Sequence, residues 1–306
     1  FKRDIRAPKG YLNITDASLH NIQNLSVKIP LGVMVAVTGV AGSGKSTLTG
    51  GILPEFCPDA VFIDQKKITA TKRSNITTFT DISDSIRKLF AKANGVSASL
   101  FSYNSKGACP ACKGMGVIHT ELAFMDAVVT VCDMCHGERF TDEVLGYTLN
   151  GKSINDVLKM TVDEAVFFND EKTILSVLKL LQDVGLGYIA LGQPLDSFSG
   201  GELQRAKLTA DLSKKGNIYI MDEPTTGLHI SDTARLAAVL DRLVDNGNSL
   251  IIIEHNLDMV ARADWAIDIG PYAGRDGGKI LFEGRPADMI NTEASITGQY
   301  LRKYRT

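Results

Sequence analysis

No run of 18 or more consecutive apolar residues occurs in this 306-residue sequence, so it offers no helix able to span a bilayer. The basic stretch at residues 1–10 is not followed by an apolar core segment, which leaves no secretion signal and points to the cytoplasm. An excess of one charge is missing too: 33 Lys and Arg face 35 Asp and Glu. Any nucleic-acid surface must therefore come from a local basic patch and not from a basic fold. Internal repeats, low-complexity tracts and Pro- or Ser-rich linkers are also absent, so the middle of the chain reads as an insertion within one folding unit. What is present, 44% hydrophobic and 22% charged residues, suits a globular protein with a sizeable core and excludes disorder.

Apolar residues cluster at strand period over 11–16 and 23–29. The β-branched run at 33–38 then enters a Gly-rich loop. A strand at 60–64, a helix at about 81–94, a stretch dense in Cys and Gly over 107–137 and helical periodicity over 153–183 follow. After Gly201 a helix leads into strong alternation: strand 218–222, helix 232–245, strand 249–254, helix 257–262, strand 265–269, and a hairpin-like segment around Gly277 and Gly278. Alternating strands and helices predict an α/β fold with a largely parallel sheet covered by helices.

Gly39-Val40-Ala41-Gly42-Ser43-Gly44-Lys45-Ser46 fits the phosphate-loop pattern, and it lies between a predicted strand and a predicted helix, as that chemistry requires. Backbone N–H groups freed by Gly39, Gly42 and Gly44 can point at phosphates, with the helix dipole in support. Lys45 is expected to reach the β- and γ-phosphates of ATP, and Ser46, followed by Thr47, to hold Mg²⁺. The strand Ile218-Tyr219-Ile220-Met221 ends in two acids: Asp222 can hold Mg²⁺ and Glu223 can polarise an attacking water. Ser199-Gly200-Gly201-Glu202, followed by Leu203-Gln204-Arg205, places a Ser and two glycines at a second helix N-terminus, another anion-binding arrangement.

Cys109-Pro110-Ala111-Cys112 and Cys132-Asp133-Met134-Cys135 are separated by 19 residues, a spacing at which four thiolates can surround Zn²⁺. Gly114, Gly116 and Gly137 follow the two knuckles and free the backbone to turn N–H groups towards sulfur. Cys132 to His136 also spells a c-haem attachment motif, a reading opposed by the matching upstream pair and the missing export signal. A zinc ion here could serve only to staple a small lobe. Cys57 reads as a small buried residue.

The run SGGE-x-QR, then MDEPT, then the isolated His255 after a strand, resembles the ATP-binding cassette superfamily, with Gln65 at its Q-loop position. That resemblance implies a RecA-like core with an inserted helical signature lobe. It makes His255 the switch histidine at the γ-phosphate, with Glu223 and Lys45 as the other catalytic residues. Ser199, Gly200 and Gly201 would cap ATP held by a second cassette, so a partner cassette is expected, by homodimerisation or from an N-terminal-like half. A zinc module between Q-loop and signature, with Leu191-Gly192-Gln193-Pro194 before SGGE and Thr226-Gly227-Leu228-His229 after DEPT, is similar to the C-terminal half of the UvrA family of nucleotide-excision repair ATPases. The likeness runs from about Gly10 to Pro286. It implies an ATP-binding core at 1–69 and 216–306, and a signature lobe at 70–215 whose zinc module occupies about 107–137. The family's UvrB-docking region is absent from these 306 residues, so the expectation is a fragment or a one-cassette protein.

Two departures stand out. Lys66-Lys67-Ile68-Thr69-Ala70-Thr71-Lys72 replaces a Pro/Gly/Arg-rich stretch after Gln65, and Phe198 precedes the signature where Leu is usual. Both suggest a diverged paralogue. The resemblance places DNA contacts on the signature lobe, where Lys72, Arg73, Lys106 and Lys113 are the candidates, with Lys66, Lys67, Arg87 and Lys88 nearby; their phosphate contacts would be sequence-independent and salt-sensitive. Two rival expectations are an antibiotic-resistance or protein-interaction ATPase on the same cassette, and a transporter ATPase subunit, which the zinc insertion disfavours.

Overall fold

The computed structural model describes residues 4–64, 74–122, 125–168, 171–214 and 216–304. Gln65, Lys66, Lys67, Lys72 and Arg73 lie outside them. In chain order the strands are β1 (Gly10–Leu19), β2 (Ile22–Leu31), β3 (Met34–Thr38), β4 (Val61–Ile63), β5 (Val117–Leu122), β6 (Met125–Val131), β7 (Thr148–Leu149), β8 (Lys152–Ser153), β9 (Ile218–Asp222), β10 (Ser249–Ile253), β11 (Trp265–Gly270) and β12 (Lys279–Gly284). Two compact units divide the chain: residues 1–67 with 214–306, and residues 68–213.

The first unit is built on a six-stranded sheet in the order β12-β11-β3-β10-β9-β4. Its strands run parallel except β12, which returns antiparallel to β11. Every residue of β3 and of β10 is buried, which explains why these strands read as unbroken apolar runs and not as alternation: a parallel strand covered on both faces has no solvent side. Strands β1 and β2 form a separate antiparallel hairpin. Ile14, Ile22, Leu25, Val27 and Ile29 from that hairpin share one core with Val35, Val37, Ile251 and Ile267 of the sheet and Leu48, Ile52 and Leu53 of the helix after the phosphate loop. That helix is wound with π-type hydrogen bonds over Thr47–Ile52 and becomes α-helical over Leu53–Phe56.

A partly buried ion cluster ties the first residues to this core. The Arg6 guanidinium donates to Asp264 Oδ2 at 2.9 Å, Asp241 Oδ1 at 2.9 Å and Asp245 Oδ1 at 2.7 Å, while Asp264, fully buried, also accepts from the backbone N–H groups of Arg6 and Met34. Burial works against the charge of Arg6, but the three carboxylates outweigh it and hold the guanidinium protonated.

In the second unit the helical periodicity expected over 153–183 resolves into three pieces: Ile154–Lys159, a 3-10 turn Glu164–Phe168, and Lys172–Asp183. The break has a local cause. Thr161 Oγ1 accepts from Glu164 N–H at 3.2 Å and Glu164 Oε2 accepts from Thr161 N–H at 2.8 Å, a reciprocal cap that restarts the chain and so ends the preceding helix. The Cys- and Gly-dense stretch contains an antiparallel ribbon, β5 with β6, that periodicity did not disclose. Val128, Val129 and Val131 remain exposed on β6, so burial imposed no alternation on that stretch of its sequence.

Removing Arg6 strands a buried carboxylate at Asp264. Arg6→Met is expected to cost about 3 kcal/mol, read as a lowered urea midpoint. An unchanged midpoint would show that the cluster adds nothing to the stability of this unit.

Candidate functional site

Parallel registry brings the first unit's chemistry to one edge. Ile253 of β10 lies opposite Asp222 of β9 and Val37 of β3, and Thr38 lies opposite Asp268 of β11. The loop after β3, the acids after β9 and the turn after β10 therefore all leave the carboxyl end of the sheet, where open α/β sheets bind ligands. Gly39 (φ +136°) sits so close to β11 that a Cβ there would meet the carbonyl oxygen of Ile269 at 2.0 Å. That contact, together with the backbone angle, is why glycine begins the loop.

Lys45 Nζ donates to the carbonyl oxygens of Gly39 at 3.0 Å and Val40 at 2.8 Å, curled beneath the loop it belongs to. Burial lowers its pKa, against the pull of Glu223, Asp268 and Asp222. Asp222 is raised by burial and then by the charge of Glu223, with Lys45 and His255 opposing. Asp222, its ionisation opposed by burial and by Glu223, stands near the buried Lys45, and carboxylates so placed suit a divalent cation. Glu223 has a left-handed backbone (φ +45°), its N–H held by Ile253 O at 3.0 Å. Its carboxylate takes His255 Nε2 on one oxygen at 3.2 Å and Thr226 Oγ1 on the other at 3.0 Å. Lys45, Asp222, Glu223 and His255 thus converge, with Gly39, Gly42, Gly44, Ser46 and Thr47 in the loop and helix start beside them.

Glu254 is the residue that motif reading passed over. It is 1% exposed, and its carboxylate accepts three backbone N–H groups: Thr225 at 3.1 Å, His255 at 3.1 Å and Asn256 at 3.2 Å. Burial raises its pKa, opposed by those hydrogen bonds. One side chain therefore shapes both the turn after the acids and the turn that carries His255. A charged residue directly after the apolar run of β10 was the available signal.

In the second unit Ser199 is the N-cap of the helix Gly200–Leu212. Its Oγ accepts from Glu202 N–H at 3.3 Å while Glu202 Oε2 accepts from Ser199 N–H at 2.7 Å. The other Glu202 oxygen accepts from Tyr188 Oη, and this bond, ahead of the Ser199 contact, lowers the Glu202 pKa. The signature is thus also a capping box, with Tyr188 orienting its glutamate.

Cys109, Cys112, Cys132 and Cys135 form the one His/Cys/Asp/Glu group among the described residues that could hold a metal ion, their sulfurs all within 4.8 Å of one another. Cys109 and Cys132 stand 3.9 Å apart and Cys112 and Cys135 3.6 Å. A tetrahedron with Zn–S of about 2.3 Å has edges of about 3.8 Å, which these two separations match. Both knuckles repeat one backbone pattern: positive φ at Lys113, Gly114 and Gly116, and again at His136, Gly137 and Arg139. Gly116 N–H points at Cys112 Sγ at 3.2 Å. N–H groups of Cys135 and Met134 aimed at Cys132 help bring its thiol down to about 7, whereas burial pushes Cys135 up to about 12. Lys106 and Lys113 are exposed in the segments flanking the first knuckle; Arg87 is engaged by Asp84 one helical turn before it, and Lys88 is exposed.

A family model described as ABC transporter matches residues 22–226. Relatives include UvrABC system protein A of Aquifex aeolicus (strain VF5), 45% identical over 99% of this chain and 36% of that protein, and its counterpart in Bacillus subtilis (strain 168), 44% identical over 97% and 35%. The crystal structure of UvrA2 from Deinococcus radiodurans matches with a TM-score of 0.83 at 44% identity, covering 99% of this chain and 40% of that one. The chain belongs to the UvrA branch of the ATP-binding cassette family. It spans about a third of the length of the curated relatives it matches. An ATP-binding subunit of an ABC transporter, at 14% identity and a TM-score of 0.52, shares the fold alone. Among the described residues no helix is long and apolar enough to cross a membrane.

Glu254→Gln places an amide against three N–H donors, and whichever way it flips at least one loses its acceptor. The expected loss is about 2 kcal/mol, measured by denaturant unfolding with Glu254→Asp alongside. A neutral result would deny Glu254 its organising role.

Proposed function

We propose that the chain is the ATP-hydrolysing cassette of a UvrA-like DNA-binding protein acting in damage recognition during nucleotide-excision repair. The convergence of Lys45, Asp222, Glu223 and His255 at one sheet edge, in a chain of this family, carries the reading. Its relatives favour it over a resistance or protein-interaction factor. Lys45 exchanges its loop carbonyls for the β- and γ-phosphates of ATP. Ser46 and Asp222 hold Mg²⁺, which neutralises charge developing on the phosphoryl oxygens. Glu223 accepts the proton of the attacking water. His255, within hydrogen-bonding reach of Glu223, orients that carboxylate and meets the γ-phosphate. Gln65, two residues after β4 in sequence and outside the described residues, is the Q-loop residue of this reading.

Ser199, Gly200 and Gly201 act on ATP held by a second cassette, either another copy of this chain or an N-terminal-like half. The core is drawn at 1–69 and 216–306 and the signature lobe at 70–215. Lys72, Arg73, Lys106 and Lys113 neutralise DNA phosphates, and the protein works in the cytoplasm. Lys45→Ala is expected to abolish ATP binding, whereas Glu223→Gln keeps binding and falls below about a tenth of wild-type turnover, since only water activation is lost. In gel shifts at low ionic strength, wild type should bind DNA with a nucleotide dependence that Lys45→Ala lacks. Hydrolysis surviving in Glu223→Gln would move the catalytic carboxylate elsewhere; salt-insensitive or absent DNA binding would remove the repair reading.

Cys109, Cys112, Cys132 and Cys135 hold one structural Zn²⁺, a closed site with no open coordination position. Metal analysis should return about one zinc per chain, and Cys112→Ser combined with Cys135→Ser should lose it. Less than about half an equivalent in wild type prepared without chelator would refute the assignment.

A further inference from the structure

The segment 271–278, between β11 and β12, leans on the phosphate loop. Gly274 N–H donates to Gly42 O at 3.1 Å and Gly278 N–H donates to Ser43 O at 2.8 Å. Asn21, in the turn between β1 and β2, joins the two loops, its Nδ2 donating to Gly42 O at 3.3 Å and to Gly274 O at 3.2 Å. Ala273 lies so close that a Cβ on Gly42 would stand 3.1 Å from its own Cβ. Main-chain contacts of this number make the segment part of the phosphate loop's frame. Yet Tyr272, beside Ala273, is 64% exposed: the fold anchors the backbone on both sides of an aromatic ring and leaves the ring in water.

The acids decide which way a nucleotide lies. Asp222 ends β9, and Glu223 and His255 follow β9 and β10, all on one side of β3 in the sheet order. A triphosphate whose γ end meets those groups must send its ribose and base to the other side of β3. That side belongs to β11, which pairs with β3 as far as Thr38 opposite Asp268 and then continues into Gly270 and Tyr272.

We infer that Tyr272 stacks on the nucleobase of the bound nucleotide, making the segment after β11 the base-binding wall of the site. The inference rests on the reading of the phosphate loop as an ATP site and adds a residue to it. Stacking engages the π-face shared by all bases, so adenine and guanine nucleotides gain more from the ring than cytosine nucleotides, whose base offers less area.

Calorimetric titration of the 306-residue chain with MgADP and with magnesium pyrophosphate separates base from phosphate. Tyr272→Ala should weaken MgADP at least about fivefold, Tyr272→Phe should stay within about twofold of wild type, and pyrophosphate affinity should be the same in all three. In Tyr272→Trp, MgADP should quench emission beyond any change from the native Trp265 seen in wild type. Undiminished MgADP binding by Tyr272→Ala overturns the inference. So does an equal loss of pyrophosphate, which would make Tyr272 a brace for the loop and not a base contact. A loss found in His20→Ala instead, on the exposed turn next to Asn21, would assign the base to that ring. Wild type binding neither MgADP nor pyrophosphate would bring down the ATP-site reading itself.

Discussion

Registry among three parallel strands governs the nucleotide site. Because Val37, Ile253 and Asp222 stand side by side across β3, β10 and β9, three segments far apart in sequence emerge together: the phosphate loop, the turn carrying His255 and the paired acids. A shift of one residue in either pairing would turn Asp222 to the opposite face, since side chains alternate along a strand. Burial on both faces of β3 and β10 makes such a slip costly, as it would break backbone pairing in the driest part of the core. The apolar runs are thus what hold the acids in place.

Around that edge the electrostatics are arranged against the protein's own convenience. Burial disfavours the charge on Lys45, on Asp222 and on Asp268, and the groups offset one another only in part. A site that keeps like charges near one another and partly out of water stores a preference for the ligand that relieves it. A polyphosphate with its divalent cation brings both signs. Burial opposes the charge of Glu254 as well, and its three N–H donors make it a structural anchor for the turns on either side.

The thiolate cage follows a different logic. Its geometry comes from two copies of one local backbone pattern, with left-handed residues at matching positions after each knuckle. Cross-links from Cys109 N–H to Arg139 O and from Cys132 N–H to Gly116 O sew each knuckle to the tail of the other. Lys159 and Asn155, both at Glu138, then dock the pair on the helix Ile154–Lys159. Four sulfurs are brought to tetrahedral spacing largely by hydrogen bonds of the main chain, and β5 and β6 leave from between the knuckles.

Wherever spacing alone specifies chemistry, the residue string was sufficient. The phosphate loop, the acids after β9, the signature and the two knuckles each need particular residue types at short fixed intervals, so their parts could be named from the sequence. Strands β3 and β10 were equally legible, since full burial leaves unbroken apolar runs. What depends on distant chain segments was not. Glu254 looks like any acid after a strand until the turn carrying Thr225 folds against it. Asp264 gives no sign that Arg6, 258 residues away in sequence, will neutralise it. The ribbon β5–β6 escaped because Val128, Val129 and Val131 of β6 are exposed on both faces, and the helix break at Thr161 because a capping pair within a helical pattern resembles ordinary polar residues. Tyr272 becomes meaningful only because the segment after β11 sets its neighbour Ala273 against Gly42. For Glu254 and Asp264 the deciding contact joins residues whose separation along the chain carries no period, so only the closed tertiary structure could pair them.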